Sequence, residues 1–482
     1  MSAKELTDLP RPPVFKAGYE TYQSPLTYRY GSDEMRRIWS QEAFWLRVRD
    51  IWIAVAEVQS EVGLVTKEQV ADLKVHRDQI SVERIFQFER DRVVGTGHDV
   101  AAAIAEFSEV APLGGRILHQ GLTSEDVLSN AEMMQIRDSF VLIRGNLIDL
   151  LKAWGGQIAR HKGLVCIGAT HLQIAEPTTM GYRFSRYTQN LFEDLRELDS
   201  SFPTLKGKGI KGPVGTSAAL TKLLRGKGMS AYEHERKVMA KLGIDAVPIA
   251  GQTYPRKELF TTEVVLSGIG QTLHQFAFDL QFLQSSYVDE VAEPRRKGQV
   301  GSSAMPHKQN PINAENIDSL TEVLPGALFS AWMTEAFVTL ERTLRDSAGK
   351  RIWLPESFLI VDEALIRAER VVVGLVVHEN SVANNLRKFA PFCVTEVILA
   401  DLTEAGMDRK EAHEILVEHA EAAVDTVRNG QPNPMRDLIM GDQRILGILG
   451  KKVVEKAFKE IYSHIGVASR KAAAMVRKIA AL

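Results

Sequence analysis

Ten residues, Gly301-Ser302-Ser303-Ala304-Met305-Pro306-His307-Lys308-Gln309-Asn310, bring two adjacent hydroxyls, an ammonium group and a carboxamide onto one glycine-bearing stretch. Donors of these kinds close together are what a site for an anion or a carboxylate needs. Gly301-Ser302-Ser303 alone would read as a solvated turn. A second concentration of charge runs Glu341-Arg342-Thr343-Leu344-Arg345-Asp346-Ser347-Ala348-Gly349-Lys350-Arg351. Arginine suits phosphate because its planar fork engages two oxygens at once. A solvated helix end accounts equally well for Arg345 and Lys350.

Helices must carry these groups, because helical periodicity dominates the chain and strand patterns are scarce. Ile136, Phe140, Ile143, Leu147, Leu150 and Trp154 alternate steps of four and three, the seam of a bundle helix. Thr123-Ser124-Glu125-Asp126 offers that helix an N-cap and an acidic first turn. A second helix follows Pro177, with Met180, Phe184, Tyr187, Leu191, Leu195 and Leu198 on one face, and stops at Pro203. A third carries Leu266, Ile269, Leu273, Phe276, Leu280, Leu283 and Tyr287. Seams this long need several neighbours, so a central antiparallel bundle is expected, with oligomerisation to complete it.

Between Asp289 and Asn310 the apolar pattern breaks at Pro294, Arg295, Arg296, Lys297, Gly298 and Gly301, which predicts a long polar loop. Pro311 can open the next helix, and Pro325 should kink or end it. Shorter amphipathic helices are expected from about Val377, with turns near Gly406 and from Asn429 to Asn433. The expected domains are therefore 1–123, 124–376 with the loop 289–310, and 377–482.

Bulk composition narrows the function. A chain of 482 residues exceeds one simple core. With 59 basic against 61 acidic residues the net charge is −2, and no basic stripe suggests nucleic acid or a membrane surface. Cys166 and Cys393 are the only cysteines, too few for a disulfide framework or a cysteine zinc site. Met1 to Lys16 is polar and proline-rich, without an apolar leader. A soluble, cytoplasmic protein is expected.

The ten-residue loop resembles the defining motif of the fumarase, aspartase and argininosuccinate lyase superfamily. The resemblance implies that Ser302 removes a proton from the carbon beside a carboxylate. A hydroxyl does this only when donors and positive charge hold it as an alkoxide, and Lys308 and the loop amides are the candidates. Lys308 and Asn310 would then stabilise the aci-carboxylate. Thr170-His171-Leu172-Gln173-Ile174-Ala175-Glu176-Pro177-Thr178-Thr179 resembles the acid-bearing segment of the adenylosuccinate lyase family, which implies that His171 protonates the leaving nitrogen. Gly97-His98-Asp99-Val100 is similar to a segment whose histidine, here His98, contacts substrate and orients the acid. Glu315 matches a carboxylate that pairs with the acid histidine.

Other strings bear on the substrate. His119-Gln120-Gly121-Leu122-Thr123-Ser124-Glu125-Asp126-Val127 resembles a region with a nucleotide-proximal histidine, here His119, and implies Thr123 and Ser124 as ligands of the succinyl carboxylates. Arg29 and Tyr30, within Ser24-Pro25-Leu26-Thr27-Tyr28-Arg29-Tyr30-Gly31, resemble the family's phosphate-binding stretch, and Arg342, Ser347 and Arg351 match nucleotide-binding positions. Gly212-Pro213-Val214-Gly215-Thr216 and Gly251-Gln252-Thr253-Tyr254-Pro255-Arg256 complete the likeness, with Gln252 as a substrate ligand. Asp99, Thr170, Ser303 and Met305 are further implied contacts. The likeness runs from about Tyr22 to about Ala420. Gly97 and Gln309 depart from it, since arginine often stands at both positions in the family.

The resemblance implies a three-domain, all-α homotetramer whose active sites are shared between subunits. It implies β-elimination of fumarate from adenylosuccinate, giving AMP, and from the related succinyl-carboxamide ribotide of purine synthesis, with no metal and no cofactor. A superfamily lyase or cycloisomerase acting on argininosuccinate or carboxymuconate is the alternative. Arg29-Tyr30 and Arg342 to Arg351 discriminate, because a substrate without phosphate gives them no task. Ser302, Lys308 and His171 speak against a catalytically silent helical protein.

Overall fold

The apolar seams fold as the helices their spacing dictates. A computed structural model describes residues 21–91, 95–296, 298 and 304–482, so Ser302 and Ser303 lie outside the described residues. In chain order the helices are α1 Asp33–Ile38, α2 Gln41–Ser60, α3 Lys67–Val75, α4 Val82–Arg90, α5 Asp99–Val110, α6 Ser124–His161, α7 Met180–Ser201, α8 Ala218–Leu223, α9 Ala231–Leu242 and α10 Lys257–Gln284. After the loop come α11 Ile312–Thr321, α12 Leu324–Ala336, α13 Ser347–Val373, α14 Glu379–Glu404 and α15 Arg409–Arg428, then four shorter helices ending at Ala480. None of the described helices is long and apolar enough to cross a membrane.

One compact unit contains residues up to Asn146, Asp194–Gln271 and Leu320–Ala364. Its first helices start where short polar side chains stop the chain's backbone donors from going unmet. Ser32, Ser40, Thr66 and Ser81 each accept a hydrogen bond from a first-turn amide of α1 to α4, and Thr66 with Gln69 forms a full capping box. Trp52, Phe107, Val127 and Ile244 belong to the apolar core beneath them. Within that core Arg49 is paired to Glu106 at 2.5 Å and donates to the carbonyls of His76 and Arg77. A buried charge needs this degree of satisfaction. Asp126, also buried, binds Lys208 Nζ at 2.6 Å and the amides of Lys211 and Gly212, which ties the segment before α8 to the start of α6.

The second unit contains Leu147–Glu193, Thr272–Ser319 and Leu365–Leu482. Trp154 of α6 is 1% exposed and packs its ring against the seam residues Phe184 and Tyr187 of α7 and Phe276 of α10. Two strands, β1 Val165–Thr170 and β2 Gln173–Thr179, pair antiparallel as a hairpin. Ile167 of that hairpin joins the core formed by Leu386, Val394, Ile398, Ile415 and Phe458. The short strand β3 Val291–Ala292, inside the region expected to be loop, pairs antiparallel with β4 Val376–Val377.

Three expectations shift. Tyr287 continues the α10 spacing but lies beyond Gln284, 97% exposed, because the chain turns at Ser285 through Asp289. The C-terminal region does not open on a short helix: α14 is 26 residues long and keeps Pro391 inside it. Pro325 ends one helix and opens another, since α11 stops at Thr321 and Pro325 sits in the first turn of α12.

Glu263 of α10 is fully buried, and burial pushes its carboxyl up to about 8, opposed only by the Ser357 hydroxyl. A carboxyl whose folded pKa is raised contributes stability below its unfolded pKa and loses it as pH climbs through the folded value. Thermal stability is therefore expected to fall between about pH 5 and about pH 8, and Glu263→Gln should flatten that decline. An unchanged slope in Glu263→Gln would show that Glu263 is not its source.

Candidate active site

In the first unit, His98 is the N-cap of α5 and Ser124 begins α6. His98 Nε2 lies 3.3 Å from Ser124 Oγ, and His98 Nδ1 lies 3.3 Å from Asp99 Oδ1. Asp99 also accepts from Arg351 at 3.2 Å, so three sequence candidates meet around one carboxylate. The Thr123 amide donates to Asp126 Oδ2 at 2.8 Å. His119 adopts φ 66, and burial lowers its pKa, with Asp126 opposing and His98 adding to the effect.

The nucleotide candidates rest on a buried charge cluster. Arg342 is paired with Glu125 at 2.7 Å and donates to Gln252 Oε1 at 3.1 Å. Arg256, 1% exposed, is paired with Asp346 at 2.5 Å and Glu132 at 3.2 Å. Lys350 is paired with Glu132 at 2.7 Å, and the Tyr254 hydroxyl donates to the same carboxylate. Three cations thus face three carboxylates, Glu125, Glu132 and Asp346. Burial opposes ionisation of Glu132 and Asp346, yet the neighbouring Lys350 and Arg256 hold both below the ordinary carboxylate range. The segment from Gly251 joins the one from Glu341 backbone to backbone, through the Gln252 amide on Glu341 O at 3.0 Å. A Cβ at Gly251 would lie 2.4 Å from that carbonyl, so only glycine fits.

Ser347 opens α13, a 27-residue helix whose first turn offers amides to an anion. Arg29 and Tyr30 belong to an arm laid along the same helix. Ser24 donates to Glu356, and the amides of Gly31 and Ser32 donate to Glu363 and Asp362. Arg29 is exposed and lies over the Tyr30 ring at 5.7 Å.

In the second unit, Thr170 and His171 sit at the tip of the β1–β2 hairpin, both exposed. His171 and Leu172 form its two-residue turn with φ of 54 and 58. Two consecutive left-handed residues are the signature of a type I′ turn, normally served by Asn-Gly. Holding non-glycine residues there costs on the order of 1–3 kcal/mol each and is characteristic of functional positions. The hairpin's base is pinned by Arg183, which donates to Ile167 O and pairs with Glu290 at 3.0 Å.

Lys308 and Met305 are exposed in the returning arm of the loop, where the Lys308 amide bonds Met305 O. Asn310 precedes α11, and Glu315 lies exposed in its first turn. Among the described residues no hydrogen bond or ion pair joins Glu315 to His171. Glu293 caps α11 by accepting from the amides of Asn313 and Ala314. Gln284, the last residue of α10, holds both arms of the loop: Oε1 accepts from the Glu293 amide at 2.9 Å, and Nε2 donates to Gln309 O at 3.1 Å.

Sequence reasoning missed Glu132, Arg256, Lys350 and Trp52 as supports of the candidates in the first unit, and Gln284 as a support of those in the second. Lys350 in particular is no solvated helix end, whereas Arg345 is exposed and rests on the Phe337 ring. Arg256 closes the string that begins at Gly251, and its place beside two acidic neighbours distant in sequence left no local signal.

Residues 27–326 match the family model described as Lyase, and residues 391–475 match that of the adenylosuccinate lyase C-terminus. The chain is 35% identical over 429 residues to the adenylosuccinate lyase of Schistosoma mansoni, covering 88% of each. It is 30% identical over 456 residues to that of Archaeoglobus fulgidus, covering 94% of this chain and 98% of the relative. Its fold is shared with the 3-carboxy-cis,cis-muconate lactonizing enzyme of Pseudomonas putida, at a TM-score of 0.83, 22% identity and coverage of 95% and 99%. By these matches and relatives, the chain belongs to the adenylosuccinate lyase family.

Proposed function

We propose that this protein cleaves adenylosuccinate to AMP and fumarate, and the related succinyl-carboxamide ribotide to fumarate and its amine, within purine synthesis. One observation carries the choice of a phosphorylated substrate: Arg342 is fixed by Glu125 and Gln252 on the same segment that starts α13 with Ser347 and Arg351. A carboxymuconate or an argininosuccinate would give that anion platform no task. In this reading Ser302 takes the proton from the carbon beside the succinyl carboxylate, and Lys308 with Asn310 stabilises the aci-carboxylate that forms. The C–N bond then breaks, its electron pair leaves with nitrogen, and His171 supplies the proton.

Ser303, Met305, Thr170, Thr123 and Ser124 bind the succinyl part, while Arg29, Tyr30, Asp99, His119 and Gln252 surround the nucleotide; His98 and Glu315 orient the acid. The exposed, strained tip at His171 supports a further part of the reading, that four copies assemble and complete one another's sites. The division at 123/124 and 376/377 belongs to the same proposal. The start of α6 at Ser124 and the His378 N-cap of α14 support it.

The test is loss of absorbance by the succinyl-purine on mixing with purified protein. Ser302→Ala and His171→Ala should each lower kcat by about a hundredfold or more, with unaltered helix content. A wild type without turnover would sink the substrate, undiminished Ser302→Ala the mechanism, and a fully active monomer in sedimentation the shared site. Gln284→Leu, which keeps the volume but releases both loop arms, should lower kcat about tenfold with little change in thermal stability. Unchanged kcat would show that Gln284 does not position the loop.

A further inference from the structure

Two histidines in the first unit stand in contrasting surroundings. His98 is half exposed beside Asp99, whereas His119 is drawn back against Trp52 of α2, a ring only 2% exposed. The indole Nε1 lies 3.2 Å from His119 Nδ1, and the two rings meet edge to face at 6.2 Å and 83°. An indole N–H can only donate. For this contact to be a hydrogen bond, His119 Nδ1 must carry its lone pair. A proton on Nδ1 would set two N–H groups against each other and strand a buried donor.

Trp52 is itself hard to move. It stacks on Phe107 at 6.3 Å, the Arg49 guanidinium lies over the Phe107 ring at 4.0 Å from its centre, and Arg49 is locked to Glu106 inside the core. Backbone geometry points the same way, since His119 adopts φ 66, a conformation that a non-glycine residue enters only when its surroundings hold it there.

We infer that Trp52 fixes His119 as the neutral tautomer protonated on Nε2, so that His119 meets the substrate as a hydrogen-bond donor and transfers no proton in the reaction. Trp52 is then a positioning residue for His119. The inference rests on the reading of His119 as a substrate contact, and sharpens it by dividing the histidines: one is a fixed donor, and the proton transfer is left to His171. The charged and titratable groups that face His119 are Asp126 from α6 and His98 from the start of α5; burial, with His98 adding to it, outweighs Asp126 and lowers the pKa of the ring. No described residue accepts from Nε2, which leaves that N–H for a ligand oxygen.

The full-length protein labelled with 15N in its histidine rings tests this, with the His119 signals assigned by their loss in His119→Gln. Wild type should show an unprotonated Nδ1, a protonated Nε2 and no titration between about pH 6 and about pH 8. In Trp52→Phe the two tautomers should mix, titration should return, and KM for adenylosuccinate should rise about tenfold with kcat nearly unchanged. His119→Gln, whose carboxamide NH2 reaches the place of Nε2–H, should keep most of the binding that His119→Asn loses.

A protonated Nδ1, or an ordinary titration near pH 6.5, would overturn the inference even if Trp52→Phe does not fold. So would a Trp52→Phe protein with unchanged tautomer and KM, or a His119→Gln protein that loses kcat instead of affinity. The ring spectrum needs no substrate, so a wild type with the expected signals but no turnover of adenylosuccinate would refute the proposed reaction and leave the tautomer assignment standing.

Discussion

Burying Arg256 among Glu132, Asp346 and Lys350 is the constraint on which the first unit's site depends. Charges leave water only at a cost of several kcal/mol each, which close pairing offsets when every partner is in place. Removing one partner leaves an uncompensated charge, so such a cluster tolerates few geometries. Here that intolerance is useful. Glu132 belongs to α6, Arg256 to the segment following Gly251, and Asp346 with Lys350 to the start of α13, so three stretches distant in sequence have a single mutual arrangement. Arg342 and Gln252 ride on those stretches, and their spacing inherits that rigidity.

The residues proposed for the chemical step are placed on the opposite principle. His171 stands at the tip of a two-stranded hairpin, and Lys308 in the returning arm of a long loop. Each is exposed at its working end and secured at its base, the hairpin by Arg183 and the loop by Gln284 and Glu293. Binding and chemistry therefore make different demands on the chain: a phosphate site gains from charges set in place before the ligand arrives, and a proton donor must reach. The left-handed pair His171-Leu172 bears local strain at the tip of that hairpin.

Sequence made the bundle legible because one repeated spacing dictates one face. The seams through Phe140, Tyr187 and Phe276 are buried where their three-four alternation places them, and Ser124 begins its helix as Thr123-Ser124-Glu125-Asp126 suggests. Local pattern failed where the deciding partner was remote. Tyr287 keeps the period but has left its helix, and Pro177 hid a strand because proline is rare in a paired ladder. Lys350 looked like surface charge until Glu132, more than two hundred residues away, is seen beside it. His171, Lys308, His98 and Arg342 are candidates through resemblance. Trp52 is not, since an indole in a helical seam reads as core whether or not its N–H meets an imidazole.

The claim at the centre of this account is that the Arg342 platform selects a phosphorylated substrate. The direct measurement compares kcat/KM for adenylosuccinate with that for its dephosphorylated nucleoside, which has the same succinyl group and the same C–N bond to break. A drop of about a hundredfold or more on losing the phosphate is the predicted result, since charge-assisted contacts to an arginine cluster are worth about 1.5–3 kcal/mol each. Equal kcat/KM for the two would contradict it, and would leave the cluster around Arg256 as a support for the fold alone.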